Sequence, residues 1–365
     1  MTPTKLLTSA IALSFAFAAQ TSADTTADLI TFAEISDTRP GNITVTPDNR
    51  VIITQQPLDG PTLRVVEVLE DGTKVPFPTQ DWADGPEAGD VGIAGTIGIK
   101  SDANGIVWIL DMGSADSAPK LVGWDTQADA LHEIIEIPSD VVTPISFLQD
   151  FALDEERGKI YIADMTFTAP AADLKPAFIV IDLETGTARR VLEASGTLMP
   201  SDEDVVIDGN LVGFKDADGN ATPWHLSMNA ITIDPTFDNV YFGTMNGRDI
   251  WRIPAAALAD AALDDAALAG QINRYAEKGP NDGFIIDGQG RVFSGDVTRN
   301  AVTVSTPDSF EIFAQDDKLL RWADGFAFAP DGTMYIVANQ LHTHPALNMG
   351  DDGSDHSYVI LTAKP

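Results

Sequence analysis

One hairpin-like pattern recurs six times along the chain, and this repeat constrains the fold more than any other feature of the sequence. Each copy has an alternating apolar run, a short turn rich in Asp, Gly, Pro or Asn, and a second run of β-branched or aromatic residues, which is typical of a β-hairpin. The copies are GNITVTPDNRVIIT from Gly41, TIGIKSDANGIVWILD from Thr96, QDFALDEERGKIYIAD from Gln149, NAITIDPTFDNVYFGT from Asn229, DGFIIDGQGRVFSGD from Asp282 and DGFAFAPDGTMYIVAN from Asp324.

The spacing of the six turns indicates the architecture. Their Asp residues stand 54, 52, 80, 53 and 44 residues apart, a period that fits four-stranded propeller blades. Third-strand candidates lie between the copies, at residues 62–69, 120–124, 177–182, 249–253 and 301–305. A β-sandwich would have similar hairpins but rarely repeats one of them six times. The sequence therefore predicts an all-β, six-bladed β-propeller.

The remaining segments fit one closed domain over residues 24–365. Residues 29–35 are expected to pair with the last blade and close the ring. Residues 254–272 are rich in Ala and Leu and predict a short surface helix. Residues 195–222 are polar and predict a long loop across one face.

The N-terminus resembles an export signal over residues 1–23, with Lys5 before a short apolar run and a small-residue site at Ala23. The chain has no Cys, which excludes disulfides, thiolate nucleophiles and Cys-bound metals. An exported chain without disulfides favours a periplasmic or secreted bacterial protein that leaves the membrane after cleavage.

The charge of the chain restricts its partners. Asp and Glu number 55 against 22 Lys and Arg, giving a net charge of −33 that repels nucleic acid and attracts cations and protonated amines. We expect a monomer that binds a small molecule.

Several segments together resemble the major royal jelly and Yellow proteins, which are secreted six-bladed propellers. They are WILDMGSADSAPKLVGWD from Trp108, QDFALDEERGKIYIAD from Gln149, FIVIDLETG from Phe178, NAITIDPTFDNVYFGTMNGRDIWRIP from Asn229 and RWADGFAFAPDGTMYIVANQL from Arg321. The resemblance implies amine binding, dopachrome tautomerisation or a nutritive role. The chain is more distantly similar to gluconolactonase, regucalcin and paraoxonase propellers, which implies a divalent metal near Asn229 and Asp282.

The first residues of the six hairpins are expected to converge on the propeller axis at one end of the channel. Many of them carry side-chain oxygens, which could surround a ligand or a hard cation such as Ca²⁺. The alternative is a water-filled channel in which these side chains only bond to neighbouring blades. The ring consists of Asn42, Thr96, Gln149, Asp150, Asn229, Asp282 and Asp324.

Aromatic and His residues near the hairpin starts add further candidates. Trp224 and Trp82 stand in polar surroundings and could hold an amine through cation–π contacts, whereas Phe284 and Phe326 are expected to pack between blades. His225 could accept a proton beside a ligand, although a plain loop histidine is the simpler interpretation. The three histidines between residues 342 and 356 could bind a transition metal or lie in an exposed loop.

Two functions follow from these residues. The first is a binding protein or cofactor-free isomerase of the Yellow type, with a small aromatic or amine ligand held by Asn42, Gln149, Asp150, Trp224 and Asp324. The second is a metal-dependent lactonase, with the metal on Asn229 and Asp282 and His225 as the base. Their common element is the end of the channel where the six hairpins begin.

Overall fold

The computed structural model describes residues 26–85, 91–167 and 173–365. Six antiparallel sheets of four strands form the six blades of a β-propeller, as the sequence predicted. The predicted export signal lies outside the described residues. Within the described residues, no helix is long and apolar enough to cross a bilayer.

The strands follow the order of the hairpins. The N-terminal strand β1 spans Ile30–Ile35. Blade one contains β2 (Pro40–Val45), β3 (Val51–Gln55), β4 (Val65–Val68) and β5 (Lys74–Pro76). Blade two contains β6 (Thr96–Ser101), β7 (Ile106–Asp111), β8 (Lys120–Asp125) and β9 (Ala130–Glu136). Blade three contains β10 (Leu148–Asp154), β11 (Lys159–Asp164), β12 (Ala177–Asp182) and β13 (Ala188–Val191).

Two short hairpins separate blades three and four. They are β14 (Val206–Ile207) with β15 (Asn210–Leu211), and β16 (Gly213–Lys215) with β17 (Ala221–Pro223). Blade four contains β18 (Met228–Ile233), β19 (Asn239–Thr244), β20 (Asp249–Pro254) and β21 (Asn273–Glu277). Blade five contains β22 (Phe284–Ile286), β23 (Val292–Asp296), β24 (Ala301–Thr306) and β25 (Ser309–Gln315). Blade six contains β26 (Ala323–Phe328), β27 (Met334–Ala338) and β28 (Tyr358–Ala363), completed by β1.

The ring closes by pairing the two ends of the chain in blade six. Strand β1 runs antiparallel to β28, with Ile30 opposite Thr362 and Ile35 opposite Tyr358. The predicted closure is confirmed. Because the last blade needs strands from both ends of the chain, its sheet is complete only when β1 pairs with β28.

Two segments differ from the sequence prediction. The first helix of the chain, α1, spans Gln80–Ala83. Residues 254–272 form two short helices, α2 (Ala255–Ala259) and α3 (Asp265–Ala269), rather than the one helix predicted. Asp264 caps α3 by accepting a hydrogen bond from the Ala267 amide, which starts a new helix in the middle of the segment. The segment 195–222, predicted as a loop, forms the two short hairpins, the second of which ends at Pro223.

Apolar side chains fill the spaces between adjacent blades. Phe178 of blade three packs edge-on against Phe242 of blade four, with ring centroids 5.1 Å apart. Trp82, a candidate ligand contact from the sequence, instead lies buried in the apolar cluster with Val107 and Trp124. The polar residues beside Trp82 in the sequence had suggested an exposed side chain, whereas Trp82 is part of the core.

The Asp residues of the hairpin turns have a local structural role. The Oδ1 atom of Asp287 accepts hydrogen bonds from the amides of Gln289 and Arg291, and Asp102 bonds the amides of Asn104 and Ile106 in the same way. Such side-chain bonds hold the backbone of a turn without help from another strand. Part of the acidic composition therefore serves the fold rather than a site.

Candidate functional site

A β-bulge positions the ring residues in five of the six blades. The strand register shifts between Pro40 and Ile43 in blade one and between Met228 and Ala230 in blade four, across Asn42 and Asn229. The first strands of blades two, three and six shift at the equivalent place. Because a bulge bends the strand and re-aims a side chain, the ring residues leave the regular alternation of the sheet there.

Glycine allows the inner strands to approach closely beside the ring. Gly283 follows Asp282, and a Cβ at this position would overlap the carbonyl oxygen of Asp324 in the next blade. A Cβ at Gly325, which follows Asp324, would lie 3.0 Å from the Cα of Asn42. Neighbouring inner strands can pack this closely at the axis because glycine places no side chain between them.

Asp282 is at the centre of the best-connected part of the ring. Its Oδ1 accepts a hydrogen bond from Asn229 Nδ2 at 2.6 Å, and its Oδ2 accepts one from Trp322 Nε1 at 2.7 Å. All three side chains are buried. The Oδ1 atom of Asn229 is also buried but accepts no hydrogen bond from a described residue. This arrangement leaves one acceptor for a ligand.

The other two carboxylates of the ring are paired separately. Asp150 Oδ2 accepts hydrogen bonds from Asn42 Nδ2 and Lys100 Nζ, each at 3.0 Å. Asp324 Oδ2 accepts one from Asn339 Nδ2 at 2.9 Å. Lys100 and Asn339 were not predicted as ring residues. Gly98 faces Asp150, since a Cβ there would lie 3.2 Å from Asp150 Oδ1. Lys100 follows two residues later in β6 and therefore lies on the same face of the strand, and this alternation is the sequence signal that could have identified it.

Burial perturbs two of these carboxyl groups. It raises the pKa of Asp282 above its ordinary value, against the hydrogen bonds from Trp322 and Asn229 that lower it. Burial and the nearby charge of Asp282 raise the pKa of Asp324 well above its ordinary value. The channel thus holds carboxyl groups whose charged forms are disfavoured, and a cation or a hydrogen-bond donor would stabilise those forms.

A cavity of about 110 Å³ opens above the ring and is called the vestibule here. Its polar lining consists of Gln56 and, at the base, the ring residues Gln149, Asn229 and Asp282, and these three ring residues also line the channel beyond the ring. Its wall is apolar and aromatic. The wall includes Phe147, Met165, Phe167, Trp224, Leu226, Trp322 and Leu341.

Trp224 is fixed in this wall by contacts on several sides. Its Nε1 donates to the carbonyl of Ala346 at 2.8 Å, and its ring lies 4.2 Å from that of Phe214 and 4.6 Å from that of Phe167, centroid to centroid. The short hairpins of residues 195–222 supply Phe214 and precede Trp224. The long interval between blades three and four therefore builds one wall of the vestibule. The aromatic residues in the sequence of this interval did not by themselves predict that role.

The predicted ligand residues divide between the two sides of the ring. Gln149, Asn229 and Asp282 face both the vestibule and the channel beyond it, and Trp224 faces the vestibule alone. Asn42, Asp150 and Asp324 line only the narrow channel, together with the buried Phe284 and Phe326. That channel has a volume of about 10 Å³, which is close to the space of a single water molecule.

The histidines do not line the vestibule. His225 Nε2 is 2.9 Å from Asp204 Oδ1, and His225 does not line the vestibule although its neighbours Trp224 and Leu226 do. His342 stacks on Trp322, His344 lies 3.8 Å from Asp59, and His356 is exposed. Within the described residues, no three His, Asp or Glu side chains are placed to hold a metal together.

The ring side chains, as they are hydrogen-bonded here, do not complete the divalent-metal site that the gluconolactonase-like resemblance implied. Asn229 directs its amide N–H toward Asp282, so the two predicted ligands bond to each other rather than presenting oxygens to one point. Both Asp282 oxygens accept hydrogen bonds, and the Asp150 carboxylate already has the ammonium group of Lys100. Among the carboxylate and amide oxygens of the ring, Asn229 Oδ1, Asp324 Oδ1 and Gln149 Oε1 accept no hydrogen bond from a described residue. Three such oxygens are fewer than the six to eight that Ca²⁺ takes.

Comparisons with known proteins place the chain in a family. A family model described as "Major royal jelly protein" matches residues 94–363, well over half of the chain. The chain belongs to the major royal jelly protein family. The matched region begins before blade two and includes all six ring positions from Thr96 to Asp324. A comparison with curated protein sequences finds no match.

Solved structures similar to this major royal jelly family member share its fold at low sequence identity. A gluconolactonase from Xanthomonas campestris is 14% identical, with 92% of this chain and 90% of that one covered and a TM-score of 0.54. The calcium-binding protein regucalcin from Agrobacterium tumefaciens is 14% identical, with 92% and 95% covered and a TM-score of 0.52. A streptogramin B lyase is 15% identical, with 93% and 98% covered and a TM-score of 0.51. At these identities the likeness shows the fold alone.

Proposed function

We propose that this chain is an exported protein that binds a small aromatic amine in the vestibule. The observation that carries the proposal is the combination, in one cavity, of an aromatic wall and a buried carboxyl group at its base. Trp224 and Phe167 supply aromatic faces and Asp282 supplies the carboxyl group. An aromatic amine is complementary to both, through stacking on the wall and charge at the base.

The charge balance of the channel supports a cationic ligand. Asp150, Asp282 and Asp324 all line the channel, and Lys100, which also lines it, forms its ion pair with Asp150. With all three carboxyl groups ionised, one lysine leaves an excess of negative charge in a buried place. A protonated amine beside Asp282 offsets this excess, whereas a carboxylate or phosphate ligand increases it.

Hydrogen bonding supports a ligand that donates. Asn229 Oδ1 is buried beside Asp282 and lacks a partner among the described residues. Leaving a buried acceptor unpaired costs about 1–3 kcal/mol, which a donor on the ligand recovers. An ammonium group has three N–H donors and can bond Asn229 and Asp282 at the same time.

The size of the cavity limits the aromatic part to one ring. The vestibule has a volume of about 110 Å³. A closed cavity of about 150 Å³ holds benzene, so a one-ring amine already fills the vestibule and extends through its opening, and a fused two-ring system would leave more of its surface outside. We therefore expect dopamine-like amines, with one ring, to bind more tightly than indole amines such as serotonin.

Tautomerase activity is the second candidate, and one observation favours it. Asp282 is the titratable side chain in the lining of the vestibule, as far as the structure describes that lining. A carboxyl group whose pKa is raised by burial can take a proton from one ligand atom and return it to another, so Asp282 would be both base and acid. His225 would need to turn away from Asp204 to reach the ligand.

The lactonase hypothesis has weaker support. It requires a divalent metal on Asn229 and Asp282, and these two residues are bonded to each other. Turnover of gluconolactone that depends on added Ca²⁺ or Mn²⁺ would contradict this argument and favour the lactonase.

Titration calorimetry on the chelator-treated protein tests the proposed function. We expect dopamine to bind, and Asp282→Asn to weaken dopamine by about tenfold or more while changing the affinity of catechol, which lacks the amine, by less than about twofold. Asp308→Asn removes the same charge from an exposed turn of blade five and is the matched control. Absence of dopamine binding, or equal binding by Asp282→Asn, would refute the proposal.

A further inference from the structure

A second cavity of about 170 Å³ lies beside the vestibule and has a different character. It is bounded by the hairpin β14–β15 on one side and by the 3-10 helix Leu341–Thr343 on the other. Leu341 lines the vestibule, whereas His342 and Thr343 line the second cavity. The 3-10 helix therefore separates the two spaces, and a molecule in one does not occupy the other.

Two opposite charges line this second cavity without pairing with each other. The Arg321 guanidinium uses Nη1 to bond Gln340 and Asp355, at 3.0 and 3.1 Å, which leaves Nε and Nη2 without a bond to a described residue. The Asp208 carboxylate accepts no hydrogen bond and forms no ion pair among the described residues, although Asp208 lines the same cavity. The cavity thus holds a cation, Arg321, that is ion-paired with Asp355 but keeps two nitrogens unbonded among the described residues, and an exposed anion, Asp208.

His342 contributes a neutral hydrogen-bonding group to the same cavity. Neither ring nitrogen bonds a described residue, and Nδ1 is buried. The ring stacks on Trp322, with centroids 5.8 Å apart and planes inclined by 15°. Burial and the charge of Arg321 lower the pKa of His342 to about 4, so the imidazole is uncharged near neutral pH and has one donor and one acceptor.

The position of Asp208 is fixed by a two-residue turn. Val206 pairs with Leu211 and Ile207 with Asn210, so Asp208 and Gly209 form the turn between β14 and β15. Both have positive φ, 51° and 80°, as an Asp-Gly turn of this kind requires. The exposed carboxylate is therefore placed at the edge of the cavity by a tight hairpin turn instead of a long loop.

From this arrangement we infer that the second cavity binds a small zwitterion, of the class of free α-amino acids. The ligand carboxylate would bond Arg321, and its ammonium group would lie beside Asp208. A simple anion would face the Asp208 charge, and a simple cation would face Arg321, so a ligand with both charges is favoured over either. Ile207, Leu211 and Val212 provide an apolar wall for a short aliphatic side chain.

Titration calorimetry with L-alanine tests this inference, with acetate and methylamine as probes that each carry a single charge. We expect L-alanine to bind about tenfold or more tightly than either probe. Asp208→Asn keeps a residue suited to the turn and should weaken L-alanine by about tenfold. Asp218→Asn, which makes the same change in the exposed turn of the neighbouring hairpin, should leave the affinity within about twofold.

The result is separable from the proposed vestibule function. Asp282→Asn should leave L-alanine binding unchanged, and Asp208→Asn should leave dopamine binding unchanged. The inference is overturned if glycine, L-alanine and L-valine all fail to bind at millimolar concentration, if acetate alone binds as well as L-alanine, or if Asp208→Asn binds L-alanine like the unaltered protein.

Discussion

The indole N–H of Trp322 donates to Asp282 Oδ2 at 2.7 Å, and both side chains are buried. Trp322 immediately precedes β26 and has a φ of 58°, a conformation that non-glycine residues adopt rarely. One face of its ring stacks on His342. This single side chain therefore orients the central carboxyl group of the vestibule and supports the histidine of the second cavity.

Replacing Trp322 with Phe tests the first of these roles. Trp322→Phe keeps an aromatic ring but removes the donor to Asp282, so we expect a loss of about 1–3 kcal/mol in the free energy of unfolding beyond the effect of lost volume. Urea denaturation measures it. Trp82→Phe, at a buried position whose indole bonds no carboxylate among the described residues, is the control for volume. Equal losses in the two variants would show that the hydrogen bond contributes nothing.

Asp324 should make stability depend on pH with a definite sign. Its folded pKa is raised well above the unfolded value of 3.8 by burial and by the charge of Asp282. The folded state therefore holds a proton that the unfolded state releases, and this contribution to stability is lost as pH rises above 4 through the folded pKa. We expect the free energy of unfolding to fall with pH relative to Asp324→Asn.

Asp331 provides a control of opposite sign for that experiment. It is exposed, and its hydrogen bonds from Lys364 and Thr333 lower its pKa. Asp331→Asn should be less stable than the unaltered protein at neutral pH, and this difference should shrink at acidic pH, where the unaltered protein loses the contribution as pH falls. If the two Asp→Asn variants showed the same pH trend, the argument from burial at Asp324 would fail.

The sequence predicted the parts of this molecule that depend on local pattern. Alternating apolar runs and Asp-rich turns were enough to find six hairpins, the closing strand and the ring residues Asn229 and Asp282. It missed what depends on contacts between distant segments. The amide of Asn229 faces Asp282 across 53 residues, and Trp224 reaches Ala346 across 122, so neither leaves a signal in its own neighbourhood. The β-bulges that redirect the ring side chains interrupt the two-residue alternation of the strands, so the alternation could not predict them.

Close approach of the inner strands gives a further prediction. A Cβ at Gly283 would overlap the Asp324 carbonyl oxygen, so Gly283→Ala must push two first strands apart at the ring. We expect a loss of about 3 kcal/mol or more in the free energy of unfolding and weaker dopamine binding, since the ring residues move with their strands. Gly288→Ala is the control, because a Cβ there would contact nothing within 4 Å. Similar stability of the two variants would contradict this prediction.

Lys278 supplies the last prediction, away from both cavities. Its buried Nζ donates to the carbonyls of Thr244 and Gly247, each at 2.7 Å, and of Gly279 at 3.2 Å, and so joins blade four to the strand connection that follows it. Lys278→Met leaves these carbonyls without that donor, and we expect a loss of about 3 kcal/mol in the free energy of unfolding.

The pH dependence of this loss has a definite sign. Burial lowers the pKa of Lys278 to about 7, below its unfolded value of 10.5. Between these values the unfolded chain binds a proton that the folded chain has released, so stability rises with pH in the unaltered protein relative to Lys278→Met. Urea denaturation at pH 7 and at pH 10 should show a wider gap between the two proteins at pH 10. A gap that stays the same or narrows would mean that the lysine stays charged in the fold, its ammonium group held by the three carbonyl oxygens.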